Sequence, residues 1–315
     1  MTAPMVIDCD PGPDDIAALI LARQMRNMNV LAVTTVAGNC TVDVATRNTL
    51  ALMDLLDWNI PVAAGASQPL TRPLRTAGDL FGDDGLLGVE LSGTGASGTP
   101  STRATDPRPA WDLVYDVARA AHQPIDIVTL GPLTNIATAL AVHPDLPQYV
   151  ERLVIMGGAF LAGNTTPAAE FNAFVDPEAA ERVFSSGIPF WLCPLDVTHQ
   201  GYITLRELQE VMDLESEPAR IFAELLRRGY EDVKHYTGGL GVPLHDPLAV
   251  MYAADPSAFS SSECFIGCET QGSITAGMTI TDRYSDAQLQ PNGHLVETVD
   301  RTWFIAMIMD ILARY

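Results

Sequence analysis

The chain has 315 residues, enough for a large α/β unit with a substantial core. Hydrophobic residues make up 47%, which excludes a disordered or collagen-like chain, and no unbroken apolar run reaches the roughly 18–20 residues of a membrane span. With 18 basic and 39 acidic residues the formal net charge is −21, which repels phosphate backbones and anionic lipid and predicts neither a nucleic-acid nor a membrane partner.

Short apolar or β-branched runs alternate with helical patterns along the first two thirds. Met5 to Asp8 reads as a strand, Pro13 to Arg26 as a helix, Val30 to Val36 as a strand and Val42 to Leu56 as a helix. Ser67 to Pro109 is rich in Gly, Thr, Ser and Pro and reads as a long irregular stretch. Ile125 to Leu130 (strand), Leu133 to Val142 (helix), Leu153 to Met156 (strand), Pro177 to Phe184 (helix) and Phe190 to Cys193 (strand) resume the alternation. Leu205 to Arg228 is helix-rich, and Gly229 to Pro243 is a Gly-rich loop with two tyrosines. Cys264 to Thr281 looks like a hairpin and Thr302 to Ala313 like a terminal helix. Alternation of this kind predicts βαβ units: an open, mostly parallel, Rossmann-like α/β sheet with flanking helices and a helix-rich, hairpin-containing C-terminal part. No linker divides two cores, so residues 1–315 are expected to form a single domain.

Several chemistries are excluded by what is missing. Lys234 is the only lysine and His235 follows it, so no phosphate loop ending in Lys-Ser or Lys-Thr exists. Gly93-Thr-Gly-Ala-Ser-Gly98 fits a dinucleotide fingerprint, but no strand precedes it and no helix start follows, so it reads as a loop. The five cysteines, Cys9, Cys40, Cys193, Cys264 and Cys268, contain no CxxC pair and read as reduced core residues. Met1 to Asp8 has no signal-peptide pattern, and a cytoplasmic location is expected. Neither an HExxH helix nor a G-x-S-x-G elbow is present.

The most informative segment is Val6-Ile-Asp-Cys-Asp-Pro-Gly-Pro-Asp-Asp15. Asp8 and Asp10 alternate to the same side of a strand, Pro11 and Gly12 turn the chain, and Pro13 opens a helix with Asp14 and Asp15 in its first turn. The helix dipole returns only ~0.3–1 kcal/mol per charge, whereas two like charges about 4 Å apart cost about 4 kcal/mol at an effective dielectric of ~20. Either a cation sits there or a carboxyl is protonated. The donors are all oxygen, which suits Ca²⁺ or Mg²⁺. An Asp-x-Asp pair ending the first strand also fits a haloacid-dehalogenase-type phosphatase with Asp8 as nucleophile. Gly12 stands where those enzymes carry Thr or Val, and Lys234 lies in no suitable strand–helix context.

Further on, Asn164, Glu170 and Asn172 share one loop after a strand, and two amides with a carboxylate suit vicinal hydroxyls. Gly131-Pro-Leu-Thr-Asn135 joins a strand to a helix, with a backbone carbonyl that could face a metal. His245-Asp246-Pro247 precedes an apolar helical run and offers an imidazole beside a carboxylate.

Taken in order, Asp8-Cys-Asp-Pro-Gly-Pro-Asp-Asp15, Thr35-Val-Ala-Gly-Asn39, Gly131-Pro-Leu-Thr-Asn135, Met156-Gly-Gly, Gly163-Asn164, Glu170-Phe-Asn172 and His245-Asp246-Pro247 resemble the inosine–uridine-preferring nucleoside hydrolase family. The resemblance implies the fold of that family, one Ca²⁺ per subunit and assembly as a homodimer or homotetramer. It places Asp10, Asp15 and Asp246 on the ion by their side chains and Leu130 by its carbonyl. It places Asp14, Asn39, Met156, Asn164, Glu170, Phe171 and Asn172 at the ribonucleoside, with Asp8 in support. His245, joined by Tyr230 or Tyr236 from the Gly-rich loop, stands near the leaving base. The implied reaction is hydrolysis of an N-glycosidic bond through an oxocarbenium-like state, with Asp10 as general base and inversion at the anomeric carbon. Phe81, before Gly82-Asp-Asp-Gly85, stands where many members have His near the base, and Ala276 precedes Gly277 where Arg is frequent. A non-catalytic nucleoside- or sugar-binding protein is the other alternative to the hydrolase.

Overall fold

The computed structural model describes residues 3–91, 103–282 and 289–315. The chain begins with β1 (Ala3–Cys9), α1 (Pro13–Gln24), β2 (Met28–Thr35), α2 (Val42–Leu55) and β3 (Val62–Ala64). After the short α3 (Gly78–Phe81) and α4 (Ala110–Ala120) come β4 (Ile125–Thr129), α5 (Thr134–Val142) and β5 (Val150–Met156). Next are α6 (Phe171–Val175), α7 (Pro177–Phe184), β6 (Phe190–Cys193) and α8 (Leu195–Thr198). A helical stretch holds β7 (Tyr202–Ile203), α9 (Leu205–Met212), α10 (Glu217–Arg228), α11 (Tyr230–Val233) and β8 (Val242–Pro243). The chain finishes with α12 (His245–Ala254), β9 (Phe259–Cys268), β10 (Thr279–Asp282), β11 (Gly293–Val299) and α13 (Arg301–Leu312).

Nine of these strands form one sheet in the order β10-β9-β11-β6-β5-β4-β1-β2-β3. From β11 to β3 every neighbouring pair is parallel. β9 is antiparallel to both β10 and β11. The chain walks outward from β1 through β2 to β3, then returns to place β4 on β1's other side. The strand order therefore reverses between β1 and β4, and the crevice outside their carboxyl ends is where open α/β sheets bind ligands.

Side-chain alternation sorts the core. Met5, Ile7 and Cys9 face one layer, with α1, α10, α12 and α13, while Val6 faces the other, with α4, α5 and α7. α1 is buried almost all round, from Ile16 to Ala22, which fixes its N-terminus against the sheet. All five cysteines are buried and free. Among the described residues no helix is long and apolar enough to cross a membrane.

The structure adds elements that the sequence reading passed over. The expected irregular stretch from Ser67 contains α3, and the fingerprint-like Gly93–Gly98 lies outside the described residues. The Gly-rich loop holds α11 and a 3₁₀ turn over Lys234–Thr237. The expected hairpin is present, with Cys268 opposite Thr279. β11 inserts between β9 and β6 and joins that hairpin to the parallel sheet.

Candidate active site

β1 stops at Cys9, and the turn into α1 is tied by Asp15. Its carboxylate accepts the Asp10 amide at 3.1 Å and the Gly12 amide at 3.0 Å, so it caps its own helix. Asn39, after β2, clamps the same turn. Its backbone N–H donates to Asp10 Oδ2 at 2.6 Å and its side-chain amide to Asp15 Oδ2 at 3.1 Å. Two glycines make room for Asp10. A Cβ on Gly38 would overlap Asp10 Oδ2, and one on Gly131 would stand 2.6 Å from Oδ1. Asp14 reaches across to α12, where its Oδ2 accepts the His245 and Asp246 amides at 2.7 and 2.9 Å. The first turns of α1 and α12 thus meet through one carboxylate.

The electrostatics of this cluster are unfavourable as it stands. Burial, and then the neighbouring Asp15 charge, pushes Asp10 and Asp246 well above the usual carboxylate range. Burial also raises Asp15, and it lifts Asp8 and Asp14 to about 7. The charges acting on the group are other carboxylates. Asp10 Oδ1 and Asp14 Oδ1 are buried without a hydrogen-bond partner. Among the described residues no three His, Cys, Asp or Glu side chains already stand at ligand spacing. The donor chemistry nonetheless fits a hard divalent cation: Asp15 faces both Asp10 and Asp246 closely, and orphaned carboxylate oxygens are left over. The Leu130 carbonyl, the other expected donor, accepts Asn172 Nδ2 at 2.7 Å and keeps a second lone pair.

Above the carboxylates lies a cavity of about 180 Å³. Asp14, Asn39, Leu130, Met156, Asn164, Glu170, Phe171, Asn172, Tyr236, His245 and Asp246 all line it. Its polar part is fixed by backbone. Glu170 accepts the amides of Gly158, Asn172 and Ala173 at 2.9–3.1 Å, and burial raises its pKa. Asn172 bridges the ends of β4 and β5 by donating to Leu130 and Met156 carbonyls. Asn164 Oδ1 accepts the Phe171 amide at 2.9 Å. Leu80, Phe81, Leu225, Leu226 and Val233 give the same cavity an apolar part. His245 also lines it, its Nδ1 2.7 Å from Thr198 Oγ1, and burial drives its pKa down to about 3. The polar part thus suits hydroxyls and the apolar part a flat, weakly polar ring.

Residues 5–306 match the family model described as inosine-uridine preferring nucleoside hydrolase. The chain belongs to that family. It is 42% identical over 319 residues to the pyrimidine-specific ribonucleoside hydrolase RihA of Shewanella sp. (strain MR-7), covering 100% of this chain and 98% of that one. Among solved structures, a plant nucleoside hydrolase superposes with a TM-score of 0.90 at 29% identity, covering 100% of both chains. A purine-preferring ribonucleoside hydrolase from Gardnerella vaginalis gives 0.89 at 29% identity, covering 99% and 98%. The chain is thus a nucleoside hydrolase by family and fold, and the family generally uses a metal ion.

One expectation for this hydrolase changes. Tyr230 does not line the cavity: its hydroxyl donates to the Gly239 carbonyl at 3.3 Å, and its ring packs 5.5 Å from Lys234 Nζ. Of the two loop tyrosines, only Tyr236 faces inward. Asp8 is fully buried, and its Oδ1 accepts both Thr34 Oγ1 at 2.6 Å and Asn135 Nδ2 at 2.7 Å, ties to β2 and α5 that suit the supporting role expected of it. Asn135 appeared in the sequence only as the end of a strand-to-helix marker, without a role, and Thr198 and His199 escaped the sequence reading. The last two end Asp196-Val-Thr-His199, at the carboxyl end of β6. That place in a βα unit, equivalent to Asp10 after β1, was the available signal.

Proposed function

We propose that this chain hydrolyses the N-glycosidic bond of pyrimidine ribonucleosides, giving ribose and free base. The observation that carries the reading is the set of buried, mutually close carboxylates, with Asp10 Oδ1 unpartnered, under an amphipathic cavity. Asp10, Asp15 and Asp246 would hold Ca²⁺ by their side chains and Leu130 by its carbonyl. Bound there, the cation supplies positive charge and Lewis acidity that no side chain in the cluster offers. Asp10 Oδ1 takes the proton of the attacking water. Asp14, Asn39, Asn164, Glu170 and Asn172 bind the ribose hydroxyls, while Met156 and Phe171 pack against the sugar. The fixed carboxylates stabilise the positive charge that develops on the sugar. Thr198 Oγ1 holds His245 at Nδ1, and a neutral imidazole with its proton on Nε2 would donate a hydrogen bond to the departing base. Attack opposite the base inverts the anomeric centre. One nine-stranded sheet supports the reading of residues 1–315 as a single domain.

The pyrimidine preference is supported by the curated relatives of over 40% identity along the whole chain, from Shewanella and Salmonella paratyphi B, whose names specify pyrimidines. The test is reducing-sugar release from uridine, cytidine, inosine, adenosine and guanosine, with Ca²⁺ and after chelation and dialysis. Release from uridine and cytidine, lost on chelation and restored by Ca²⁺, is the expected result. No release from any of the five, with Ca²⁺ bound by titration, would refute the reading.

A further inference from the structure

Thr198 and His199 end a short helix on the fixed body of the fold, and each touches a different group on the base side of the cavity. Thr198 Oγ1 meets His245 Nδ1 at 2.7 Å. The next ring, His199, stacks on Tyr236 with centroids 5.2 Å apart and planes 14° apart, and stands edge-on to His245 at 5.6 Å. Tyr236 belongs to the segment 229–243 and lines the cavity, whereas His199 does not. The other polar tie of Tyr236 is weak, its hydroxyl reaching the Asn164 carbonyl at 3.5 Å. His235 also packs on Tyr236, at 3.9 Å, but it rides on the same segment, whose ends are tied to the body by the Val242–Ile203 pairing and by Tyr230 and Val233 against the core. His199 Nε2 is buried with no hydrogen-bond partner, so the ring is held there by its faces. Burial lowers its pKa.

We propose that His199 is a positioning residue for the leaving-base side: its ring anchors Tyr236, and through it the segment 229–243, over the cavity. The claim rests on the nucleoside reading of that cavity for its kinetic consequence, but not for its mechanical one. Both can be read separately, because Lys234, two residues from Tyr236, is the chain's only lysine. A lysine-specific endoproteinase therefore has one cleavage point, inside the anchored segment, and its rate reports opening of that segment.

The experiment uses the full chain with Ca²⁺ and compares His199→Ala, His199→Phe, Tyr236→Leu and the His199→Ala/Tyr236→Leu pair. His199→Ala is expected to speed cleavage at Lys234 about fivefold or more, with unchanged thermal unfolding. The KM for uridine should rise by a similar factor of about five, with kcat within about twofold. His199→Phe, which keeps an aromatic face, should restore both. Tyr236→Leu should open the segment equally, and the double variant should open it no further, because one stack has been removed from either side. If His199→Ala does not fold, His199→Phe and Tyr236→Leu still decide the matter by the same cleavage rate. Cleavage and KM at wild-type values in His199→Ala would overturn the proposal. So would a His199→Phe protein opened as far as Tyr236→Leu, since the nitrogen rather than the ring face would then be the anchor. Altered cleavage in a protein that hydrolyses no nucleoside would keep the anchor and refute the function.

Discussion

In the proposed reaction Asp10 carries two jobs on one carboxylate. Oδ2 is spent on the Asn39 amide, which fixes the side chain, and Oδ1 is buried without a hydrogen-bond partner. An Asn at this position keeps an oxygen for the Asn39 amide but cannot take a proton. Asp10→Asn should therefore lose about 10²–10⁴ in kcat while binding ribosides within a few-fold of wild type; steady-state rates beside isothermal titration with a riboside would show it. Equal losses in binding and turnover would mean that the residue only shapes the site. His245 is a different case. Burial lowers its pKa to about 3, so in the proposed reaction its help is a hydrogen bond to the leaving base rather than delivery from an imidazolium. His245→Ala should slow uridine hydrolysis about 10²-fold or more yet spare an aryl riboside, whose phenolate leaves without help. Parallel rates on the two substrates check this, and equal losses on both would refute it.

At the level of elements, the loops after β2 and β4 are shaped around that one carboxylate. Gly38 and Gly131 come from these two loops and both abut Asp10. A displacement of about 1 Å at a catalytic group can cost about 10²-fold in rate. Gly38→Ala should lose activity on that scale with little change in melting temperature, since the Cβ pushes on Asp10 and Pro132 rather than on the sheet. Thermal unfolding beside kcat/KM would test it. The β1–α1 turn was legible because its carboxylates are neighbours in the chain and a Pro marks the helix start. α7 and β6 were legible to the residue for similar local reasons: Asp176 caps α7 ahead of Pro177, and Phe190–Cys193 is a bounded apolar run. β3 has only three residues, and the strand character of β11 shows only against its partners β6 and β9. Asn135 acts on Asp8 across 127 residues and Thr198 on His245 across 47, so neither role exists until the sheet brings them together.

At the scale of the whole molecule, a chain of net charge −21 concentrates buried acid in its site. No Lys or Arg lines the cavity among the described residues, while Asp14, Glu170 and Asp246 do. Such a site has nothing to receive a phosphate, and uridine 5′-monophosphate should be hydrolysed at least about a hundredfold less efficiently than uridine, measured as kcat/KM with both substrates. The same acidity gives the metal-free protein a distinctive pH dependence. Asp8 and Asp14 are raised from 3.8 to about 7, so the folded state holds their protons when the unfolded chain has released them. Their contribution to stability is complete below about pH 4 and is lost as the pH rises through about 7. His199 and His245 are lowered by burial and work the other way, gaining stability as the pH rises. Their gain ends near the ordinary imidazole pKa of 6.5, where the unfolded histidines have lost their protons. Between about pH 6.5 and 8 the carboxylates therefore act alone. The chelated protein should lose melting temperature across that window, and Ca²⁺ should abolish the slope by giving the ionised carboxylates a counter-charge. A chelated protein whose melting temperature stays flat or rises from pH 6.5 to 8, in a thermal scan with and without Ca²⁺, would show that the cluster is not strained by its own charge.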